Sequence, residues 1–226
     1  MDAAGTDVTL EREGEVFILH LGDGENRFNL PQVRALRSAL AEVEATDGPR
    51  ALVTTAGGKF WSNGLDLDWM GSHPDQAGEA LGQFHRLLGE TLGASVVTVA
   101  AVQGHAFAAG AMFACAHDLV VMREDRGFWC IPEIDLLMPF TPGMSALLTA
   151  RLPRRTAHVA MTTGRRYAGP QAVAAGIVDE VAPLDDVRTR AIELANELTA
   201  KDGGTLRAIK RGMYSGAIDV LTASTS

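Results

Sequence analysis

Residues 95–116 read SVVTVAAVQGHAFAAGAMFACA, and this stretch decides the fold class. The apolar run 95–102 predicts a fully buried strand, and the Gly/Ala-rich segment 104–115 predicts a turn that enters a helix. A buried strand at 51–55 and a helix at 76–89 precede it in the same order. Repeated units of this kind predict an α/β fold with parallel strands.

Length and composition limit the class of protein. The chain has 226 residues, of which 46% are hydrophobic and 21% charged, and its net charge is −8. Together with a mean hydropathy of +0.06, this is typical of a globular protein with a sizeable core. The acidic balance disfavours nucleic acid and anionic membrane as partners.

Cellular location is predicted from the apolar runs, the start of the chain and the cysteines. No apolar run approaches the roughly 20 residues that a bilayer requires. Residues 1–15 are polar and acidic, unlike a secretory signal or a transit peptide. Cys115 and Cys130 form no CxxC pair, which suits reduced core residues. We therefore expect a cytoplasmic protein.

Several common site types lack their sequence signature. The six histidines show no HExxH spacing and are not grouped with the cysteines, so we expect no metal site. P-loop, GxGxxG and GxSxG motifs are also missing from the sequence, which disfavours nucleotide binding and hydrolase triads.

Two small-residue loops are candidate sites. The segments WSNGLDL at 61–67 and QGHAFAAGAM at 103–112 each follow an apolar run. Backbone N–H groups from two such loops can converge and form an oxyanion hole. Either loop alone is more typical of a tight turn or close helix packing, for which Gly64 and Gly110 would be used. The two together favour the oxyanion hole.

A third candidate is Glu133, the carboxylate in the otherwise largely apolar segment IPEIDLLMP at 131–139. Apolar neighbours raise the pKa of a carboxyl group toward the range of a general base. A surface position or a helix N-cap is the competing interpretation.

Taken together, these motifs resemble the crotonase (enoyl-CoA hydratase/isomerase) superfamily over about residues 16–214. The resemblance also covers NRFNL at 26–30, HDLVVM at 117–122 and TGRRYAGPQAVAAGIVDEV at 163–181. Within that superfamily the chain is most similar to the short Δ3,Δ2-enoyl-CoA isomerases.

The resemblance implies a crotonase-like spiral of ββα units, with the active site in residues 1–150. It further implies a helical C-terminal region, residues 151–226, that assembles a homotrimer or a dimer of trimers. The substrate would be an acyl-CoA thioester, and no separate cofactor is implied because CoA is part of the substrate.

Residue by residue, the resemblance makes the amides of Leu65 and Ala109 the oxyanion donors and Glu133 the acid/base. Met112 stands where hydratases of the superfamily carry a further glutamate, which disfavours addition of water and favours a 1,3-proton shift.

Residues implied to contact the substrate are Asn63, Gly64, Phe107, Met112 and Leu137. The acyl pocket would also use Leu136, Met138 and Phe140, although plain core packing is favoured for most of its apolar residues. Candidate CoA phosphate ligands are Arg27, Lys59 and Lys210, and Asp66 suits a turn or cap.

Two alternatives remain open. Another crotonase-type reaction, namely hydration, hydrolysis or decarboxylation, would follow if Asp135 served as a second acid. A non-catalytic CoA-thioester-binding homologue is the other alternative, and the retained Glu133 argues against it.

Overall fold

The computed structural model describes residues 7–223. The strands are β1 (Thr9–Glu13), β2 (Val16–His20), β3 (Ala51–Thr55), β4 (Phe60–Ser62), β5 (Val97–Val102), β6 (His105–Phe107), β7 (Leu119–Arg123), β8 (Trp129–Cys130) and β9 (Glu180–Ala182). The helices are α1 (Leu30–Ala45), α2 (Leu67–Ser72), α3 (Pro74–Leu92), α4 (Ala109–Ala116), α5 (Pro142–Arg151), α6 (Arg154–Thr163), α7 (Gly169–Ala174), α8 (Val187–Asn196) and α9 (Gly203–Thr222).

Two sheets are present in the described part of the chain. The large sheet has the order β1-β2-β3-β5-β7-β9, and the small sheet has the order β4-β6-β8. β1 runs antiparallel to β2, and every other neighbouring pair is parallel. The parallel α/β architecture predicted from the repeated strand and helix patterns is confirmed.

The chain alternates between the two sheets. It passes from β3 to β4 before α2 and α3, from β5 to β6 before α4, and from β7 to β8 before α5. Each repeat of the chain therefore contributes one strand to the large sheet, one strand to the small sheet and then a helix. This is the predicted spiral of ββα units. Because the small sheet is parallel, the segments after β4, β6 and β8 meet at one edge. Those segments carry Leu65, Ala109 and Glu133.

Residues on the large sheet alternate between two cores, as the pleat of a strand requires. On β2, Phe17 and Leu19 join the main core under α1, α3 and α4, whereas Val16 and Ile18 join a smaller core under α8. Burial on both faces explains why the central strands have nearly continuous apolar sequences.

The C-terminal region is more than a helical tail. β9, at Glu180–Ala182, pairs with β7 and completes the edge of the large sheet. α9 packs against α3 and α5. Residues on both sides of residue 150 therefore share one sheet and one core.

Both cysteines are free and buried, and Cys115 belongs to the main core. Burial raises the pKa of Cys115 to about 12 and that of Cys130 to about 11, so neither thiol is a ready nucleophile. Within residues 7–223, none of the helices combines the length and the apolar character that a membrane crossing demands.

Candidate active site

The first wall of the site is the loop that joins β4 to α2. Gly64 has φ +89°, a left-handed conformation that favours glycine. Phe28 clamps the loop, since its amide donates to the Gly64 carbonyl at 2.8 Å and its carbonyl accepts from the Asp66 amide at 3.0 Å. The intervening Leu65 N–H has no hydrogen-bond acceptor among residues 7–223. Asp66 caps α2 by accepting from the Trp69 amide at 3.1 Å, as predicted.

The second wall is the start of α4. Ala109 is the first residue of the helix, where backbone N–H groups lack intrahelical acceptors. Its N–H likewise has no acceptor in the described chain. Ala108 precedes it at φ +52° and ψ −123°, a strained conformation for alanine. A hydrogen bond of 3.0 Å from the Ala108 amide to the Cys130 carbonyl holds that conformation against β8.

The two walls touch each other. A β-carbon placed on Gly64 would lie 3.0 Å from the Ala108 β-carbon, and one on Gly110 would lie 2.5 Å from the Ser62 carbonyl oxygen. Contacts that short admit only glycine without rearrangement. The two glycines therefore allow the approach that brings Leu65 and Ala109 together.

The third wall is the turn after β8, which presents Glu133. The turn is closed by a hydrogen bond of 3.0 Å from the Met138 amide to the Glu133 carbonyl. The Glu133 side chain is buried, and its Oε2 has no hydrogen-bond partner in the described chain. Burial raises the pKa of its carboxyl group to about 7. A carboxylate with that pKa is suited to take up and return a proton near neutral pH.

These walls enclose a cavity of about 220 Å³, which we call the inner cavity. Its lining consists of Asn63, Leu65, Leu67, Met70, Leu81, Ala108, Ala109, Glu133, Leu136, Met138, Pro139, Thr141 and Met144. Glu133 is the only ionisable side chain in that lining. The remainder is apolar apart from Asn63 and Thr141, so water would compete poorly for the carboxylate once an apolar ligand is bound.

A second cavity of about 450 Å³, the outer cavity, adjoins the first. It is lined by Arg27, Asn63, Leu65, Leu67, Asp68, Phe107, Ala108, Cys130, Pro132, Leu136 and Arg166. Arg27 is paired with Glu25 and Asp68. Arg166 lies over the Phe107 ring at 5.7 Å. The inner cavity therefore offers an apolar site with one base, and the outer cavity adds cationic groups.

Of the five residues implied to contact the substrate, Asn63 lines both cavities and Phe107 lines the outer one. Gly64 is in neither lining and precedes Leu65, which lines both. The other two residues also line neither cavity. Met112 is fully buried in the main core and lines neither cavity. Leu137 has φ +56° in the turn after Glu133 and is 89% exposed.

The remaining acidic and basic candidates line neither cavity; they are Asp135, Lys210 and Lys59. Asp135 is exposed and lies against Gly164 rather than in a cavity. Lys210 is buried, with its Nζ 2.7 Å from Asp118 Oδ2 and 3.1 Å from the Val96 carbonyl oxygen. It is therefore unavailable to a phosphate. Lys59 lies beyond the opposite end of the small sheet, beside Arg126.

The sequence did not identify Arg166 in the outer cavity, or Leu81, Thr141 and Met144 in the inner cavity, as lining residues. Arg166 stands in the quoted segment 163–181, and its charge was the available signal. Thr141 precedes Pro142, which is a helix-start pattern. Leu81 and Met144 carry no signal beyond their helical spacing.

Comparison with known proteins gives the family. A family profile described as enoyl-CoA hydratase/isomerase matches residues 11–225. The chain belongs to this family. Enoyl-CoA delta isomerase 3 of Arabidopsis thaliana is 36% identical, with 91% of each chain covered. Enoyl-CoA delta isomerase 2, peroxisomal, of the same plant is 34% identical, with 96% of each covered.

Solved structures of the family share the fold. An enoyl-CoA isomerase from Mycobacterium tuberculosis is 26% identical, with a TM-score of 0.87 and 96% and 95% of the two chains covered. A second structure of the same mycobacterial protein, described as a probable enoyl-CoA hydratase, has a TM-score of 0.89 at 26% identity, with 96% and 92% covered. The crotonase fold expected from the sequence is confirmed.

Proposed function

We propose that this chain is a Δ3,Δ2-enoyl-CoA isomerase. The observation that carries the proposal is the isolation of Glu133: among the described residues it is the only ionisable side chain that lines the inner cavity, and it shares that lining with Leu65 and Ala109. One base and two donors are what a proton shift beside a thioester requires. The isomerase relatives support the same assignment.

In the proposed reaction, the thioester carbonyl oxygen accepts hydrogen bonds from the Leu65 and Ala109 N–H groups. Glu133 removes a proton from C2 of a 3-enoyl-CoA, and the electron pair moves onto the carbonyl oxygen as an enolate. When the carbonyl re-forms, the double bond moves from C3–C4 to C2–C3, and Glu133 returns the proton to C4. Each preorganised donor contributes roughly 3 kcal/mol to such a step.

The same cavity argues against efficient hydration. Addition of water to a 2-enoyl-CoA requires a group that orients the water and a group that moves its proton. Glu133 can supply one carboxylate, and the exposed Asp135 cannot supply the second. Hydration, hydrolysis and decarboxylation are therefore outcomes to be tested against isomerisation.

The testing experiment follows the ultraviolet absorbance of the conjugated thioester. Purified protein should convert 3-hexenoyl-CoA to 2-hexenoyl-CoA and should leave 2-hexenoyl-CoA unhydrated. Glu133→Gln should abolish turnover while retaining CoA-thioester binding, because the amide keeps the shape and loses the basicity. Asp135→Asn is the matched control and should retain turnover. Near-normal turnover by Glu133→Gln would contradict the proposal.

We further propose a homotrimer or a dimer of trimers. Ile209 and Met213 are 54% and 64% exposed on one face of α9, and Val220 extends the face at 44%. Apolar side chains at this spacing favour a partner surface. Sedimentation at micromolar concentration tests the assembly, and a strictly monomeric protein would contradict it.

The proposed reaction uses no cofactor besides the CoA carried by the substrate. We also propose that the protein acts in the cytoplasm, which the two free, buried thiols support. Fluorescent tagging of the full chain would test the location, and a peroxisomal signal, as in the name of the plant relative, would contradict it.

A further inference from the structure

The small sheet has a second edge, at the amino ends of its strands. A third cavity, which we call the basic pocket, lies there. Its lining includes Gly58 and Lys59 before β4, Gly104 before β6, and Arg126 and Gly127 shortly before β8. Because the small sheet is parallel, the basic pocket lies at the opposite edge from the candidate active site.

The loops that form the basic pocket are tied to one another. The Gln103 side chain donates from Nε2 to the Gly57 carbonyl oxygen at 3.0 Å. The His105 amide donates to the Lys59 carbonyl oxygen, also at 3.0 Å. A β-carbon placed on Gly104 would lie 2.3 Å from that same oxygen, a contact that only glycine avoids without rearrangement. The backbone of the pocket is therefore fixed by its neighbours.

The charge that lines the basic pocket is positive. Lys59, Arg123 and Arg126 line it, and no aspartate or glutamate among residues 7–223 does. Arg123 is paired with Asp125. Lys59 and Arg126 form no ion pair within the described part of the chain. Two uncompensated cations therefore line one cavity.

The His105 ring, which also lines the basic pocket, shows that these cations lie close together. Burial lowers the pKa of His105, and the positive charges of Lys59, Arg126 and Arg166 lower it further. The ring is therefore uncharged at neutral pH. A bound anion would offset the three cations and raise the pKa of this histidine.

Backbone N–H groups add further donors. The amides of Gly58, Gly104 and Gly127 have no hydrogen-bond acceptor among residues 7–223. Backbone N–H groups in turns supply the donors of many phosphate sites. The basic pocket thus combines unpaired amides with unpaired cations, and both favour an anion that accepts several hydrogen bonds.

We propose that the basic pocket binds a phosphate group outside the active site, carried either by the nucleotide end of CoA or by a free phosphate compound. Lys59 and Arg126 hold its charge, and the glycine amides donate to its oxygens. The proposal does not depend on the isomerase function, because the basic pocket shares no lining residue with the inner or the outer cavity.

The test measures binding without turnover. Calorimetry at low ionic strength compares inorganic phosphate and adenosine 3′,5′-bisphosphate with adenosine, which lacks a phosphate. We expect the two phosphate compounds to bind and adenosine not to bind. Lys59→Met and Arg126→Met should each weaken phosphate binding by about ten-fold, the effect expected for one hydrogen bond to a charged group. Lys201→Met, which removes an exposed lysine elsewhere, should leave it unchanged.

A competition experiment identifies the source of the phosphate. Displacement of inorganic phosphate by hexanoyl-CoA, with equal weakening of both ligands in Lys59→Met, would assign the basic pocket to the nucleotide end of CoA. Simultaneous binding of hexanoyl-CoA and inorganic phosphate would assign it to a free phosphate compound.

Three results would overturn the inference. They are no phosphate binding by the wild-type protein, unchanged affinity in both Lys59→Met and Arg126→Met, and an unchanged pKa of His105 in an NMR titration with phosphate. Circular dichroism confirms that the variants fold, which is expected because both replaced side chains are exposed. Since no measurement uses turnover, failure of the isomerase proposal would leave this test intact.

Discussion

Gly64 lies directly against the amide of Ala109: a β-carbon built on Gly64 would come within 3.4 Å of the Ala109 nitrogen. The two residues are far apart in sequence, and the missing side chain of Gly64 leaves room for the two loops to approach this closely. Gly64 also has φ +89°, so any side chain there would strain the loop as well as crowd the amide.

We therefore expect Gly64→Ala to lower kcat by about 100-fold, the typical effect of losing one oxyanion donor. Gly78→Ala is the matched control, because its β-carbon would meet no atom within 4 Å and its φ is helical. Steady-state kinetics on 3-hexenoyl-CoA measures both. Unchanged kcat in Gly64→Ala would show that the contact does not position the donors.

The raised pKa of Glu133 predicts how turnover depends on pH. The raised pKa of about 7 means that its carboxylate, the basic form, is lost as the pH falls through 7. We expect kcat/KM for the isomerisation to rise with pH, to reach half its maximum near pH 7, and to level off above it. A midpoint near the ordinary glutamate value of 4.5 would contradict the buried state of Glu133.

The same shift predicts the pH dependence of stability. Because the pKa is about 7 when folded and 4.5 in the reference state, the folded protein binds more protons between these values. The free energy of unfolding therefore falls as the pH rises through this window, by about 3 kcal/mol from this group. Glu133→Gln removes the charge and should unfold at a higher temperature than wild type above pH 7. The difference should vanish below pH 4.5, and a constant difference would contradict the assignment.

The Met112→Glu variant tests whether residue 112 lies in the main core or in the inner cavity. Its side chain is fully buried in the main core, so Met112→Glu would bury an unpaired carboxylate at a cost of at least about 2 kcal/mol. We expect a lower melting temperature and no gain of hydration. Met112→Leu, the control, should cost less than about 1.5 kcal/mol. A stable glutamate variant that hydrates 2-hexenoyl-CoA would place residue 112 in the cavity.

Replacement of Lys210 should lower the stability of the protein and leave its affinity for CoA unchanged. Lys210 is buried, whereas its partner Asp118 is 26% exposed, so removal of the cation leaves a partly hydrated carboxylate, at a cost of about 2 kcal/mol. Lys210→Met should lower the free energy of unfolding by about that amount while CoA affinity is retained. Lys201→Met, at an exposed position, should change it by less than about 0.5 kcal/mol. Loss of CoA affinity in the folded Lys210 variant would restore its predicted role at a phosphate.

The strands that the sequence predicts correctly are those that are buried along their whole length. β3 and β5 are buried along their whole length, so their apolar runs identified them. β4 and β6 have three residues each, FWS and HAF, and were predicted as loops. Their pairing depends on segments that are distant in sequence, which local patterns do not contain.

The site shows the same limit. Leu65, Ala109 and Glu133 line one cavity as the motifs predicted, since each follows a strand of one parallel sheet. Leu137 shares its apolar character with Leu136, yet the positive φ at Leu137 turns it into solvent. The direction of a side chain in an irregular turn depends on backbone angles that composition does not specify.

The placement of β9 and α9 has a consequence for how the protein is made. The large sheet gains its last strand from residues 180–182, and Asp118, which follows α4, gains its cation from Lys210. Both lie near the end of the chain, and a ribosome delivers them last, at roughly 5–20 residues per second. The nascent chain therefore carries the catalytic segments for several seconds with an unpaired β7 edge and an unneutralised Asp118. Chaperone capture of nascent chains would be expected to peak in that interval and to end when α9 emerges.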